Sequence, residues 1–187
     1  MHSVLALLFD LDGTLADTAA ANFAAYAQAL GEVGVAVDRG TFDAAARGRS
    51  WRQFLPELIQ NAGSSADPAD VARRKQDLYP QLVAGLRLNQ PLLALARTAR
   101  ATLRTALVTT ASGANVRAIL QQHQLGDLFD VVITGDDVTE HKPHPEAYLT
   151  AASQLGMAPA DCLAFEDSDI GVAAAEAAGI PVVRVAL

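Results

Sequence analysis

The chain has 187 residues, of which 51% are apolar, so it can build one sizeable core, alone or with a smaller inserted module. Its formal net charge of −7 argues against nucleic acid as a partner, because binding to a phosphate backbone requires a concentrated basic surface. The apolar run at residues 4–9 is too short to span a membrane and follows no basic segment, so the sequence predicts a cytoplasmic protein.

The first half of the chain contains one predicted strand followed only by predicted helices. Residues 4–9 (VLALLF) are continuously apolar and end at Asp10, which is typical of a strand buried on both faces. Capping residues and stop signals such as Gly34 then predict the helices. They cover residues 18–33, two short segments within 38–61 that are separated at Gly48, residues 67–83 and residues 90–101.

The second half of the chain alternates between predicted strands and helices. The strands cover residues 105–109, 131–134, 162–165 and 182–185, and the helices cover residues 113–124, 145–155 and 170–178. This alternation indicates parallel strands joined by right-handed crossovers. The sequence therefore predicts an α/β protein with a doubly wound, Rossmann-like parallel-sheet core formed by residues 1–15 and 85–187. An all-helical module, residues 16–84, interrupts this core.

Polar side chains follow four of the predicted strands. Ligands bind at the edge of such a sheet where the carboxyl ends of its strands meet, so these side chains are expected to lie close together. The first three groups are Asp10 with Asp12, Thr109 with Thr110, and Lys142; the last is Glu166, Asp167 and Asp169, of which Asp169 is expected to cap the next helix.

Asp10 and Asp12 lie two positions apart directly after the first strand, so an extended backbone would point both carboxylates to the same side. Two such charges repel each other unless a cation intervenes or one carboxyl group is protonated. A bound metal ion and two different roles for the carboxylates would remove this repulsion. One carboxylate would bind the metal and act as the nucleophile, and the other would hold a proton for the leaving group. Gly13 allows a tight backbone path beside a ligand. The alternative is an ordinary polar turn after a strand.

Four segments in order resemble the motifs of the haloacid dehalogenase superfamily, and specifically those of its phosphatases. The segment 9–18 (FDLDGTLADT) resembles the first motif, and Thr109 after its strand resembles the second. Lys142 within residues 141–146 (HKPHPE) resembles the third motif, and residues 165–171 (FEDSDIG) resemble the acidic fourth. Together the motifs extend the resemblance over nearly the whole chain.

The resemblance implies a phosphatase that acts on a small phosphorylated metabolite. It implies that Asp10 attacks phosphorus to form an aspartyl phosphate, and that Asp12 acts as the acid and then the base. Mg²⁺ would be held by the Asp10 carboxylate, the Asp12 backbone carbonyl, Glu166 and Asp167, in keeping with the preference of Mg²⁺ for oxygen ligands. Thr109, Thr110 and Lys142 would bind the phosphoryl group.

The helical module at residues 16–84 resembles the cap that closes over the active site of these enzymes and selects their substrate. Within its loop 48–52, the candidate substrate contacts are Arg49, Ser50 and Trp51; alternatively, Ser50 simply caps a helix and Trp51 packs beneath it. Members of the family usually continue with a further strand and helix beyond the point where this chain ends. A monomer is favoured over an oligomer.

Three other functions compete with a phosphatase. A dehalogenase of the same superfamily is disfavoured because it lacks the second aspartate, which is present here as Asp12. A sugar-phosphate mutase of the β-phosphoglucomutase type usually has a histidine where this chain has Asn22. A non-catalytic binding protein would be expected to have lost at least one of the four motif residues Asp10, Asp12, Lys142 and Asp167. Phosphoglycolate, a sugar phosphate and a nucleotide monophosphate remain open as the substrate.

Overall fold

The computed structural model describes residues 3–47 and 49–187, and the chain separates into two compact units. One unit runs from the N-terminus to Thr18 and from Leu86 to Leu187, and the other comprises Ala19–Gly85. Over the described residues, no helix has both the length and the apolar character that crossing a membrane requires.

The larger unit is built on five strands: β1 Ala6–Phe9, β2 Arg104–Val108, β3 Val131–Ile133, β4 Cys162–Glu166 and β5 Val182–Arg184. The α-helices of the described chain are α1 Ala19–Gly31, α2 Arg39–Ala46, α3 Trp51–Asn61, α4 Pro68–Leu82, α5 Gln90–Ala99, α6 Gly113–Gln122, α7 Glu146–Leu155 and α8 Asp169–Ala177. Helices α1–α4 belong to the smaller unit, which contains no strand among its described residues.

All five strands are parallel, in the order β3-β2-β1-β4-β5. The chain places β2 and β3 on one side of β1 and then returns to place β4 on the other side. This is the doubly wound topology that the sequence predicts, and its switch point lies between β1 and β4. Leu8 is in register with both Ala106 and Ala164, so the carboxyl ends of the three central strands form one edge.

Small residues allow helices to pack closely on the sheet. The core cluster on one face contains Ala6 and Leu8 of β1, Ala164 of β4, and Ala147 and Ala151 of α7, all of them buried. Because successive strand residues point to opposite faces, Phe9 lies on the other face. There its ring stacks on Phe165, with 5.0 Å between the ring centroids.

Several element boundaries differ from those predicted, among them the start of β1, the end of β4 and the start of α8. Strand β1 begins at Ala6 and not at Val4, and both Val4 and Leu5 before it are exposed. Strand β4 continues to Glu166, which is therefore fixed by the sheet and does not belong to the following loop. The cap of α8 is not Asp169 but Ser168, whose side chain accepts a hydrogen bond from the backbone N–H of Gly171 at 3.1 Å.

The helices of the smaller unit enclose a core of their own, in which the rings of Tyr26, Phe42 and Phe54 contact one another. Lys75 is buried in this unit and donates a hydrogen bond to Asn22 Oδ1 at 2.8 Å. Its ammonium group lies 4.0 Å from the centroid of the Tyr79 ring, which is a favourable cation–π distance.

The cap of α8 gives a test of this local structure. Ser168→Ala removes the side-chain acceptor at the start of the helix, and we expect it to lower the free energy of unfolding by about 1 kcal/mol. Ser153→Ala, at an exposed position inside α7, is the matched control and is expected to be neutral or slightly stabilising. Urea denaturation followed by circular dichroism measures both, and equal effects of the two substitutions would contradict the capping role.

Candidate active site

Asp10 lies at the switch point of the sheet, directly after β1. It is 6% exposed, and its backbone N–H donates to the carbonyl of Phe165 at 3.0 Å, which ties the end of β1 to β4. The chain then turns sharply, with the N–H of Gly13 donating to the carbonyl of Ala16 at 2.8 Å. Asp10 and Asp12 are thereby held at the start of a closed turn and not in a mobile loop.

Gly13 is required in this turn for two reasons. Its φ of +85° lies in the left-handed region, which side chains with a Cβ atom rarely adopt. A Cβ atom at this position would also overlap with Oδ2 of Asp167. The absence of a side chain therefore lets the turn that carries Asp12 approach the carboxylate that follows β4.

Asp12 is held by two hydroxyl groups. Thr18 donates to Oδ1 in a short hydrogen bond, and Thr109 donates to Oδ2 at 3.2 Å. Burial and the nearby charge of Asp10 raise the pKa of Asp12, although both hydroxyl groups act in the opposite direction. A carboxyl group with a raised pKa is suited to give and take a proton near neutral pH.

Lys142 is the positive centre of the site. Its side chain is only 3% exposed, and Nζ donates to Asp10 Oδ1 at 2.7 Å, to Glu166 Oε1 at 2.5 Å and to the carbonyl of Val108 at 2.9 Å. These three acceptors match the three donors of an ammonium group. Burial opposes the charge, but Asp10 and Glu166 outweigh it and raise the pKa of Lys142, so the side chain remains a cation.

Glu166 is completely buried beside Lys142. Its Oε1 also accepts a hydrogen bond at 2.6 Å from the hydroxyl group of Tyr148, while Oε2 has no hydrogen-bond partner among the described residues. Burial and the charge of Asp10 raise the pKa of Glu166. Tyr148 was not predicted as a site residue, although its position six residues after Lys142, in the helix that follows the lysine motif, was a sequence signal for it.

Asp167 completes a group of three carboxylates with Asp10 and Glu166. Each of the three offers one oxygen atom that lies within 4.8 Å of those of the other two. Thr14 donates to Asp167 at 3.4 Å, and burial together with the charge of Asp10 raises the pKa of Asp167. Three converging carboxylates fit a divalent cation with oxygen ligands, and one of them has a buried oxygen that receives no hydrogen bond from the described residues.

The other residues predicted for the site are Thr110 and three residues of the smaller unit. Thr110 is exposed in the loop after β2. In the smaller unit, Arg49 forms an ion pair with Glu57 at 2.8 Å, Ser50 precedes the first turn of α3, and Trp51 is half-buried in that unit's core. The predicted break at Gly48 lies outside the described residues. Substrate contact by Arg49, Ser50 and Trp51 therefore stays a prediction.

The raised pKa values make the site a source of instability in the absence of a cation. A carboxyl group whose pKa is higher in the folded than in the unfolded state destabilises the fold when both states are ionised. The penalty disappears as the pH falls through the folded pKa, and none remains below the unfolded value of 3.8. We therefore expect Asp12→Asn to raise the urea midpoint at pH 7 in chelator, with a gain that shrinks on acidification.

Glu176→Gln on the exposed side of α8 removes one negative charge without changing the site, so its effect on the urea midpoint should be small at each pH. Circular dichroism at pH 7, 5 and 4 compares the two variants with the wild type. A gain for Asp12→Asn that grows on acidification would contradict the direction of the pKa shift.

Comparison with known proteins agrees with this geometry. The family described as "Haloacid dehalogenase-like hydrolase" matches residues 7–185. Protein CbbY of Rhodobacter capsulatus is 36% identical over 189 residues, which cover 95% of this chain and 83% of the relative. Fructose-1-phosphate phosphatase YqaB of Escherichia coli is 33% identical over 183 residues, which cover 97% of this chain and 96% of the relative.

The fold agrees with that of solved structures as well. A crystal structure of a CbbY variant from Rhodobacter sphaeroides in complex with xylulose-(1,5)bisphosphate has a TM-score of 0.82 and 29% sequence identity to this chain. The similarity covers 98% of this chain and 87% of that chain. With its four motif segments gathered at one sheet edge, the chain therefore belongs to the haloacid dehalogenase-like hydrolase family and is an enzyme.

Proposed function

We propose that the protein is a Mg²⁺-dependent phosphomonoester hydrolase that acts on a small sugar phosphate through an aspartyl-phosphate intermediate. The observation that carries this proposal is the arrangement around Asp10. Its carboxylate is fixed by Lys142 at 2.7 Å, and Asp12, with a raised pKa, lies two positions further along the same turn. A fixed nucleophile beside a proton donor is what hydrolysis through a covalent intermediate requires.

Asp10 is the proposed nucleophile. Its Oδ1 is engaged by Lys142, so attack on phosphorus falls to the second carboxylate oxygen. A bond forms between that oxygen and phosphorus while the bond from phosphorus to the leaving oxygen breaks. Lys142 holds its charge beside the reacting group throughout, and fixed charge of this kind stabilises the transition state of phosphoryl transfer.

Asp12 is the proposed acid and base. In the first step its proton passes to the leaving oxygen, and in the second step the resulting carboxylate takes a proton from the water that attacks the aspartyl phosphate. The hydroxyl groups of Thr18 and Thr109 keep its two oxygens in place between the steps. The enzyme returns to its starting protonation state after one turnover.

The carboxylates of Asp10, Glu166 and Asp167, with the backbone carbonyl of Asp12, would hold Mg²⁺. When bound, the ion supplies positive charge that offsets the crowded carboxylates and the phosphoryl oxygens. Thr109 and Thr110, at the carboxyl end of β2, are the proposed partners of the remaining phosphoryl oxygens.

A sugar phosphate is the proposed substrate class because of the comparisons. One relative bears the name fructose-1-phosphate phosphatase, and one similar structure contains a sugar bisphosphate.

Hydrolysis is favoured over the mutase reaction by Asn22, since mutases of the β-phosphoglucomutase type usually have a histidine there. The contacts proposed for the sugar are Arg49, Ser50 and Trp51 of the smaller unit, and the cytoplasm is the proposed location.

The first test concerns the nucleophile and the metal ion. We expect phosphate release from fructose 1-phosphate to require Mg²⁺, to stop in excess chelator, and to fall at least about 10³-fold in Asp10→Asn, since an amide is not a competent nucleophile. A colorimetric phosphate assay measures the rates, and Glu176→Gln serves as the control variant. Full activity in chelator or in Asp10→Asn would exclude the mechanism, and conversion to an isomeric sugar phosphate would identify a mutase.

A second test separates the roles of the two aspartates. With p-nitrophenyl phosphate the leaving group hardly needs a proton, so Asp12→Ala should slow the attack by Asp10 only modestly. The second step still needs a base, so the variant should release up to one equivalent of nitrophenol in a burst and then slow sharply. Mass spectrometry after a rapid quench should detect about 80 Da of added mass on Asp10, the mass of a phosphoryl group.

An alkyl phosphate is the matched control for this burst, because its leaving group does need the proton and the variant should show no burst with it. Asp12→Asn is measured in parallel, since it keeps the shape of the side chain and leaves the turn undisturbed. Wild-type rates in both variants would mean that another residue is the acid and base.

A further inference from the structure

Tyr148 has a place in the site that the proposed mechanism does not use. The residue lies in α7, is completely buried, and donates from its hydroxyl group to Glu166 Oε1 at 2.6 Å. Its ring also lies beside Lys142, with 5.1 Å between Nζ and the ring centroid. Tyr148 therefore contacts the acidic group and the basic group of the site at the same time.

The two carboxylate oxygens of Glu166 differ in their hydrogen bonds. Oε1 accepts two hydrogen bonds, from Tyr148 at 2.6 Å and from Lys142 at 2.5 Å. Oε2 has no donor among the described residues and lies against Gly171, where a Cβ atom would overlap with it. A buried carboxylate oxygen without a donor is costly unless a cation or another donor is supplied to it.

The terminal torsion of a glutamate is broad, so a single hydrogen bond does not fix the orientation of its carboxylate group. Two donors on one oxygen do fix it, because rotation would break both bonds. Lys142 alone could not serve this purpose, since its ammonium group is shared between Glu166, Asp10 and the carbonyl of Val108.

We propose that Tyr148 is a positioning residue that, together with Lys142, orients Glu166 so that Oε2 is left for the divalent cation shared with Asp10 and Asp167. This inference rests on the proposed function for the identity of the cation site. No contact between Tyr148 and the substrate is part of this proposal. It acts through Glu166, in the way that outer groups orient the ligands of metal sites in proteins.

The test uses Mn²⁺ as the probe, with Mg²⁺ as the competitor, and the electron paramagnetic resonance signal of free Mn²⁺ as the readout. Tyr148→Phe removes the hydroxyl group and keeps the ring beside Lys142. We expect the dissociation constant for Mn²⁺ to rise about tenfold, as for other groups that orient metal ligands. A value within a factor of two of the wild type would overturn the proposal.

Thr105→Val is the matched control. Thr105 is completely buried in β2 of the same unit, and its hydroxyl group donates to the carbonyl of Leu128 at 2.8 Å. This substitution should lower the melting temperature as Tyr148→Phe does, because each removes one buried hydrogen bond, but it should leave Mn²⁺ affinity unchanged. Equal losses of affinity in the two variants would mean that Tyr148 acts only through stability.

A double-mutant cycle tests whether Tyr148 affects cation binding through Glu166. In a Glu166→Gln background, Tyr148→Phe should change the dissociation constant less than twofold; a full tenfold effect there would overturn the proposal. None of these measurements depends on turnover. A protein that binds Mn²⁺ as expected but releases no phosphate would contradict the proposed function alone, whereas normal hydrolysis with unchanged affinity in Tyr148→Phe would contradict this inference alone.

Discussion

The site depends on one buried, positively charged side chain. Lys142 carries its charge at 3% exposure, which is tolerable only because two carboxylates and one backbone carbonyl surround Nζ. Removing either carboxylate would leave a poorly compensated buried charge, so the positions of Asp10 and Glu166 are coupled through the lysine. Because these groups come from segments that follow or end different strands, their pairing also joins distant parts of the chain.

The order of the strands makes this pairing possible. In the order β2-β1-β4, the carboxyl ends of three central strands bring together Val108, Asp10 and Glu166. Alanine residues on the sheet and on α7 allow the helix to lie close enough for the hydroxyl group of Tyr148 to reach Glu166. Gly13 acts similarly in the turn after β1, since the lack of a Cβ atom lets this turn approach Asp167.

The electrostatics of the site oppose stability and favour chemistry. Burial and mutual repulsion raise the pKa values of Asp12, Glu166 and Asp167, and one lysine does not offset all the negative charge around it. A divalent cation would relieve this repulsion. The crowded carboxylates therefore destabilise the folded protein when no cation is bound, but they would stabilise it when the cation is bound. Strain of this kind is common at functional sites, where stability is sacrificed for reactivity.

The sequence alone determined the elements, the fold class and the identity of the four motif segments. Local signals suffice for these, since buried strands are continuously apolar and helices begin at caps. Asp10, Thr109 and Glu166 each lie at a strand end, and Lys142 lies in the loop between β3 and α7. Only the tertiary structure decided which groups pair: Lys142 meets Asp10 over a separation of 132 residues, Tyr148 meets Glu166, and Arg49 pairs with Glu57 inside the smaller unit. The first two pairings follow from strand order and helix packing. These bring together residues that are distant in the sequence, and no local pattern indicates that such residues are in contact.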